Sequence, residues 1–371
     1  MSQLFPAIDP DGLLEYSVVF TDRSLNHMSA RFQGVMRDIA ARLREVYAAD
    51  AVAIVPGGGS CGMEAIARQF ATGQKCLILR NGWFSYRWTQ ILEVGGIATA
   101  PTVIKAERTA DGSFAPADIA HVTATIAAAR PAVVFAPHVE TASGILLPDA
   151  YLRAVADAVH AVGGLFVLDC VASGAAWVDM RASGVDVLLS APQKGWSATP
   201  CAALVMLSAA ADARLAETTS TSFTLDLKKW LQIMQAYENG GFAYHATLPT
   251  DGLVIFHAAL LQTLTLGLDE ARERQFALGQ RVRDLLAANG FASVAAPGFA
   301  APGVVVCYTR DDGLHSGRTW AAHGLQTAAG VPLMCDEPPD FKTFRLGLFG
   351  LDKLHDVDGT VARLAQAVQR L

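Results

Sequence analysis

The sequence predicts an α/β protein whose larger part is a mostly parallel sheet covered by helices, followed by a smaller C-terminal α+β domain. Three observations predict it. Hydrophobic residues make up 52% of the 371-residue chain and charged residues 17%, the balance of a compact protein rather than a disordered one. From about residue 50, short apolar runs alternate with helical patterns, as strands buried on both faces require. After Thr250 that alternation stops and a long helical pattern takes over.

In chain order, "AVAIVP" (51–56), "KCLILR" (75–80), "AVVFAP" (132–137), "LFVLDC" (165–170), "VDVLLS" (185–190) and "CAALVML" (201–207) read as buried strands. "CGMEAIARQFA", "WTQILEVGG" and "AYLRAVADAVHAVG" read as helices between them. One helix of roughly thirty residues is expected from Thr250 to about Asn289, and then short strands such as "GVVVCY" and "FRLGL". The expected organisation is an N-terminal segment 1–24, a large domain 25–266 and a small domain 267–371, with the boundary inside the long helix.

A net charge of -6 and the lack of any Lys/Arg run argue against nucleic acid or an anionic membrane as partner. "MSQLFPAIDPDGLLEY" has no basic and apolar regions of a secretory leader. The apolar run Gly252–Leu268 carries His257, Gln262 and two threonines, which suits a core helix better than a membrane span. Six cysteines without a CxxC pair or zinc spacing fit a reduced, cytoplasmic protein without a metal centre.

Functional groups of such a sheet collect at the carboxyl ends of its strands. The first end, "VPGGGSCGMEA", places Gly57, Gly58, Gly59 and Ser60 between a strand and a helix, where free N–H groups and the helix dipole suit a phosphate. A dinucleotide fingerprint wants an acidic residue at the next strand end, and this chain has Arg80 and Asn81 there. An NADP-dependent oxidoreductase, using Arg80, stays as a distant alternative. Asp169 ends the strand "LFVLD", where a carboxylate needs a cationic or hydrogen-bonding partner. Lys194, in "SAPQKGW", is the only lysine between Lys105 and Lys228, and its apolar neighbours lower its pKa toward a nucleophilic amine. A phosphate cradle, a strand-end aspartate and a desolvated lysine together are what pyridoxal 5′-phosphate needs: a grip on the phosphate, a partner for the ring N–H and a Schiff-base amine.

With these motifs the chain resembles the class V, fold-type I pyridoxal-phosphate aminotransferases, most closely the alanine–glyoxylate and serine–pyruvate branch. The resemblance runs from about residue 25 to the C-terminus through "GGGSCGMEA", "NGWFSYR", "HVETASGILLP", "LDCVAS", "SAPQKGW", "YHATLP" and "FRLGLFG", in that order. It implies a seven-stranded, mostly parallel sheet and a role for each matching residue. Gly58, Gly59 and Ser60 would bind the phosphate. Phe84, or Trp83 if the register slips by one, would stack on the pyridine. Thr141 would hydrogen-bond the phenolic oxygen, Asp169 the ring nitrogen, and Val171 would pack under the ring beside Gln193 and the Schiff-base Lys194. Tyr244 and Thr247 would reach the cofactor phosphate of the other subunit in a homodimer, and Arg345 would take the substrate carboxylate. That last role also follows from its fork, which matches a carboxylate in two hydrogen bonds.

Two departures bear on selectivity. In place of the family's Pro-Gly-Pro turn stands "VVFTDRSLNHMSARF", so Asn26, His27 and Met28 become candidate pocket residues. Cys61, near a helix start, is either a low-pKa thiol or a packed one. The activity expected is transamination between a small amino acid, alanine or serine-like, and a 2-oxo acid, glyoxylate or pyruvate. The alternatives are a phosphonate aminotransferase and a pyridoxal-phosphate lyase or cysteine desulfurase, for which Cys335 is the loop candidate.

Overall fold

The computed structural model describes residues 8–371 except 11 and 99; the first seven residues of the 1–24 segment and of the "MSQLFPAIDPDGLLEY" reading lie outside the described residues. Helix α1 (Ala30–Tyr47) opens on Ser29, whose hydroxyl accepts the Phe32 N–H, and buries its apolar face. Then come β1 (Ala51–Pro56), α2 (Gly59–Phe70), β2 (Cys76–Arg80), α3 (Trp83–Val94), β3 (Thr102–Lys105), α4 (Ile119–Ala129), β4 (Val133–Pro137), α5 (Asp149–Ala161), β5 (Leu165–Asp169), β6 (Val187–Ser190) and β7 (Ala202–Leu207).

These seven strands form one sheet in the order β1-β7-β6-β5-β4-β2-β3. The run β6-β5-β4-β2-β3 is parallel, while β7 is antiparallel to both β1 and β6. The parallel register aligns Pro137 with Asp169 and Asp169 with Leu189. The carboxyl ends of β4, β5 and β6 therefore face the same rim. Burial on both faces explains why β2, β4 and β6 read as unbroken apolar runs. One core extends from Leu25 to Leu260.

The helix expected from Thr250 to Asn289 is two helices. α6 (Leu227–Glu238) precedes α7 (Thr250–Leu266) and α8 (Leu268–Ala288), and the latter two meet at 86°. Gly267, at φ 93°, makes the break in a backbone region that residues with a Cβ rarely enter. Among the described residues no single helix is long and apolar enough to cross a membrane. Beyond the bend, β8 (Val304–Tyr308), β9 (Ala328–Ala329) and β10 (Thr343–Gly347) form a three-stranded antiparallel sheet in the order β8-β10-β9. α8 and α9 (Val357–Val368) cover it around a second core that includes Leu278, Trp320 and Phe344.

Candidate active site

The strand ends enclose a cavity of about 270 Å3. Gly59, Ser60, Phe84, Thr141, Asp169, Val171, Gln193 and Lys194 all line it, so eight of the residues singled out in the sequence meet in one place.

On one side, β1 turns into α2 through Gly57, held at φ 115° with its N–H on the Cys201 carbonyl (3.0 Å). Gly58 is the N-cap of α2 and makes no side-chain cap. The N–H groups of Gly59 and Ser60 lie in the first helical turn, which has no intrahelical acceptor for them, and the helix dipole favours an anion there. Val171 packs on the backbone of Gly59, closing the floor of the cavity.

On the opposite side, α3 carries Phe84. Its first turn is gripped by the fully buried Glu140, whose Oε1 accepts the Phe84 N–H (3.2 Å) and whose Oε2 accepts the Ser85 N–H (2.8 Å) and hydroxyl (2.7 Å). Asp169 lies at the base. Burial lifts its carboxyl to about 6, against the lowering pull of the Val171 N–H (2.9 Å) and of Lys194. Lys194 lies between the Phe84 and Phe349 rings, its Nζ 5.8 and 5.7 Å from their centroids. Burial depresses its proton affinity, and the charges of Asp169 and Glu140 oppose that only in part. The loop is rigid: Ser197 N–H returns to the Lys194 carbonyl (3.0 Å), and Trp196 is buried against Trp177 (4.7 Å), Tyr47 and Phe256.

Two buried polar atoms in this cavity, Thr141 Oγ1 and Gln193 Oε1, have no hydrogen-bond partner among the described residues. Orphans of this kind cost free energy unless a ligand satisfies them. Arg345, on β10, brings its guanidinium 5.4 Å from the Phe84 ring centroid while its Nε donates to the Ala329 carbonyl (2.7 Å).

Four other sequence candidates lie elsewhere in the single chain. Tyr244 and Thr247 bond each other (3.2 Å) at the surface. Asn26 donates to Glu15 (2.7 Å) and Ser17 (3.1 Å). His27 is buried among Phe20, Phe242 and Tyr244. Two residues that sequence reasoning passed over belong to the site: Glu140, and Arg87, which lines the cavity. Both stand inside motifs already singled out, "HVETASG" and "NGWFSYR", where only Thr141 and Phe84 had been read.

With this geometry in place, no family model matches the chain. It is similar to the alanine–glyoxylate aminotransferase of Oryctolagus cuniculus, 26% identical over 70% of this chain and 64% of that one. It is also similar to 2-aminoethylphosphonate–pyruvate transaminase 2 of Paraburkholderia xenovorans, 27% identical over 94% of this chain and 90% of that one. Among solved structures, the alanine–glyoxylate aminotransferase of Nostoc superposes with a TM-score of 0.79 at 22% identity, over 93% of this chain and 88% of that one. The chain has the fold of the fold-type I aminotransferases and is similar in sequence to alanine–glyoxylate and 2-aminoethylphosphonate–pyruvate aminotransferases.

The geometry leaves two of the alternative readings, the NADP-dependent oxidoreductase and the cysteine desulfurase, without their key groups. Arg80, which a 2′-phosphate would have needed, is buried and donates to Thr89 (2.8 Å) and to the Met334 carbonyl (3.2 Å). Cys335, the desulfurase candidate, is buried with its Sγ on the Arg80 carbonyl (3.3 Å), and burial pushes its thiol up to about 12. At neutral pH that is a thiol and not a nucleophilic thiolate.

Proposed function

We propose that this aminotransferase uses pyridoxal 5′-phosphate to exchange an amino group between a small amino acid, alanine or serine-like, and a 2-oxo acid of the size of glyoxylate or pyruvate. The observation that carries the reading is the meeting of Lys194, Asp169 and Phe84 in a cavity whose Thr141 Oγ1 and Gln193 Oε1 have no partner among the described residues. Those residues fit the cofactor: Gly58, Gly59 and Ser60 for its phosphate, Phe84 and Val171 for the two ring faces, Thr141 for the phenolic oxygen and Asp169 for the ring nitrogen.

Bound there, pyridoxal phosphate supplies a carbonyl that condenses with amines and a ring that draws electron density from an adjoining carbon. Burial shifts Lys194 toward the free amine, the form that would hold that carbonyl and, when a substrate amine takes its place, would move a proton at Nζ. Burial raises the affinity of Asp169 for protons; opposite a protonated ring nitrogen it would be held ionised and would keep that N–H in place. Arg345 orients the substrate through its carboxylate.

The curated relatives' names pair alanine with glyoxylate and 2-aminoethylphosphonate with pyruvate, which supports an amine donor matched to a small 2-oxo acid. The fork of Arg345 favours a planar carboxylate over a phosphonate. A cytoplasmic homodimer is part of the proposal. Tyr244 and Phe242 are 54% and 47% exposed beside Thr247, an apolar surface suited to a second copy, and all six cysteines are unpaired.

The test is spectroscopic. Pyridoxal phosphate should give the protein a visible band that alanine or serine bleaches and glyoxylate or pyruvate restores. Lys194→Ala should lose both band and turnover, and a variant that kept both would sink the assignment.

A further inference from the structure

The role assigned to "NGWFSYR" accounts for Phe84 but leaves Arg87 unexplained. Arg87 stands three residues after Phe84 on α3, so the two side chains share one face of the helix. Its guanidinium carbon lies 4.7 Å from the Phe84 ring centroid, and its Nη1 lies 3.2 Å from Ser60 Oγ at the first turn of α2. Among the described residues no carboxylate comes within ion-pairing distance of it, although it lines the cavity. Arg345 sits against the same ring but is tied through Nε to the Ala329 carbonyl, on the small-domain side.

We propose that Arg87 binds the cofactor phosphate, supplying the cation that the glycine cradle of α2 lacks. The inference rests on the pyridoxal-phosphate reading and adds to it a residue role and a division of labour between two arginines. A phosphate dianion on α2 alone would be met by backbone N–H groups and a partial dipole charge. Arg87 adds a full charge and up to two charge-assisted hydrogen bonds, reached across the Ser60 hydroxyl. Glu140 makes this placement reproducible: it fixes the first turn of α3, and Arg87 follows one turn later. Arg87 therefore serves the phosphate end of the cavity and Arg345 the substrate end.

Apoprotein reconstitution separates the possibilities. Pyridoxal phosphate and pyridoxal, which lacks the phosphate, are titrated into native, Arg87→Gln and Arg87→Lys apoprotein, with binding read from the visible band. Arg87→Gln should bind pyridoxal phosphate about tenfold or more weakly and pyridoxal as the native protein does. Arg87→Lys should recover part of the loss. In the native apoprotein, inorganic phosphate should compete with pyridoxal phosphate, a measurement that needs no variant; in Arg87→Gln the competition should weaken.

Unchanged pyridoxal-phosphate affinity in Arg87→Gln would overturn the proposal, as would an equal loss for both ligands, or a rise only in the KM of a dicarboxylic substrate. If the native apoprotein gains no band with pyridoxal phosphate, it is the cofactor reading that fails.

Discussion

Glu140 holds Ser85 twice through one carboxylate oxygen, taking its N–H at 2.8 Å and its hydroxyl at 2.7 Å. Its other oxygen takes the N–H groups of Phe84 (3.2 Å) and Ala142 (3.0 Å). The negative charge sits at the positive end of α3, so dipole and hydrogen bonds act together. Glu140→Gln keeps the volume but turns an amide N–H2 toward donors. The variant should lose about 2–4 kcal/mol in urea unfolding, and an unchanged midpoint would show that this carboxylate is not what anchors the helix bearing Phe84.

Asp169 gives the cofactor-free protein a pH dependence of known sign. Its folded pKa is raised from 3.8 to about 6 by burial, so the folded chain holds this proton more tightly than the unfolded chain does. The resulting stability is full below pH 3.8 and is lost as pH rises through 6. Asp169→Asn cannot ionise, so its stability relative to the parent should rise by about 2–3 kcal/mol between pH 4 and pH 7. Urea titrations at the two pH values measure the difference; no change with pH would contradict a raised pKa.

Arg345→Lys preserves the charge but not the fork. The KM for the amino-acid substrate should rise roughly tenfold to a hundredfold, while the visible band of the cofactor-loaded protein stays as it was. Steady-state kinetics decide this, and an unaltered KM would remove Arg345 from carboxylate binding.

Gly195 follows the lysine, and a Cβ there would run into the carbonyl oxygen of Gly174. Backbone does not yield as a flexible side chain does. Gly195→Ala should displace the Lys194 loop, costing about 1–3 kcal/mol of stability and most of the turnover. A variant with native thermal midpoint and native kcat would show that the loop accommodates the methyl group.

Much of the large sheet was legible because its strands are buried on both faces and end on a polar residue, as at Asp169, or just before one, as at Lys194. The strand 102–105 was not: β3 is an edge strand with only Ile104 buried, so no apolar run marks it. The antiparallel direction of β7 left a usable signal, since residues 191–201 contain no helix and a parallel return needs a crossover of a dozen residues or more. At Gly267 helical periodicity runs on through the glycine, while the change from apolar "GLVIFHAALL" to charged "DEARER" marks where the direction turns. Glu140 and Arg87 escaped notice for a different reason. Their roles come from neighbours distant in sequence, such as Ser85 for one and Ser60 for the other.

The position of β1 has a consequence for how the chain acquires its site. β1 lies at the edge of the sheet, and its strand partner is β7, whose residues run from Ala202 to Leu207. During synthesis, the segment leading into Gly57–Ser60 emerges early yet waits some 150 residues for the strand that completes it. Long-range pairing of this kind slows folding. The phosphate cradle is thus the first part of the site to be translated and among the last to be assembled, after Asp169 and Lys194 have both left the ribosome.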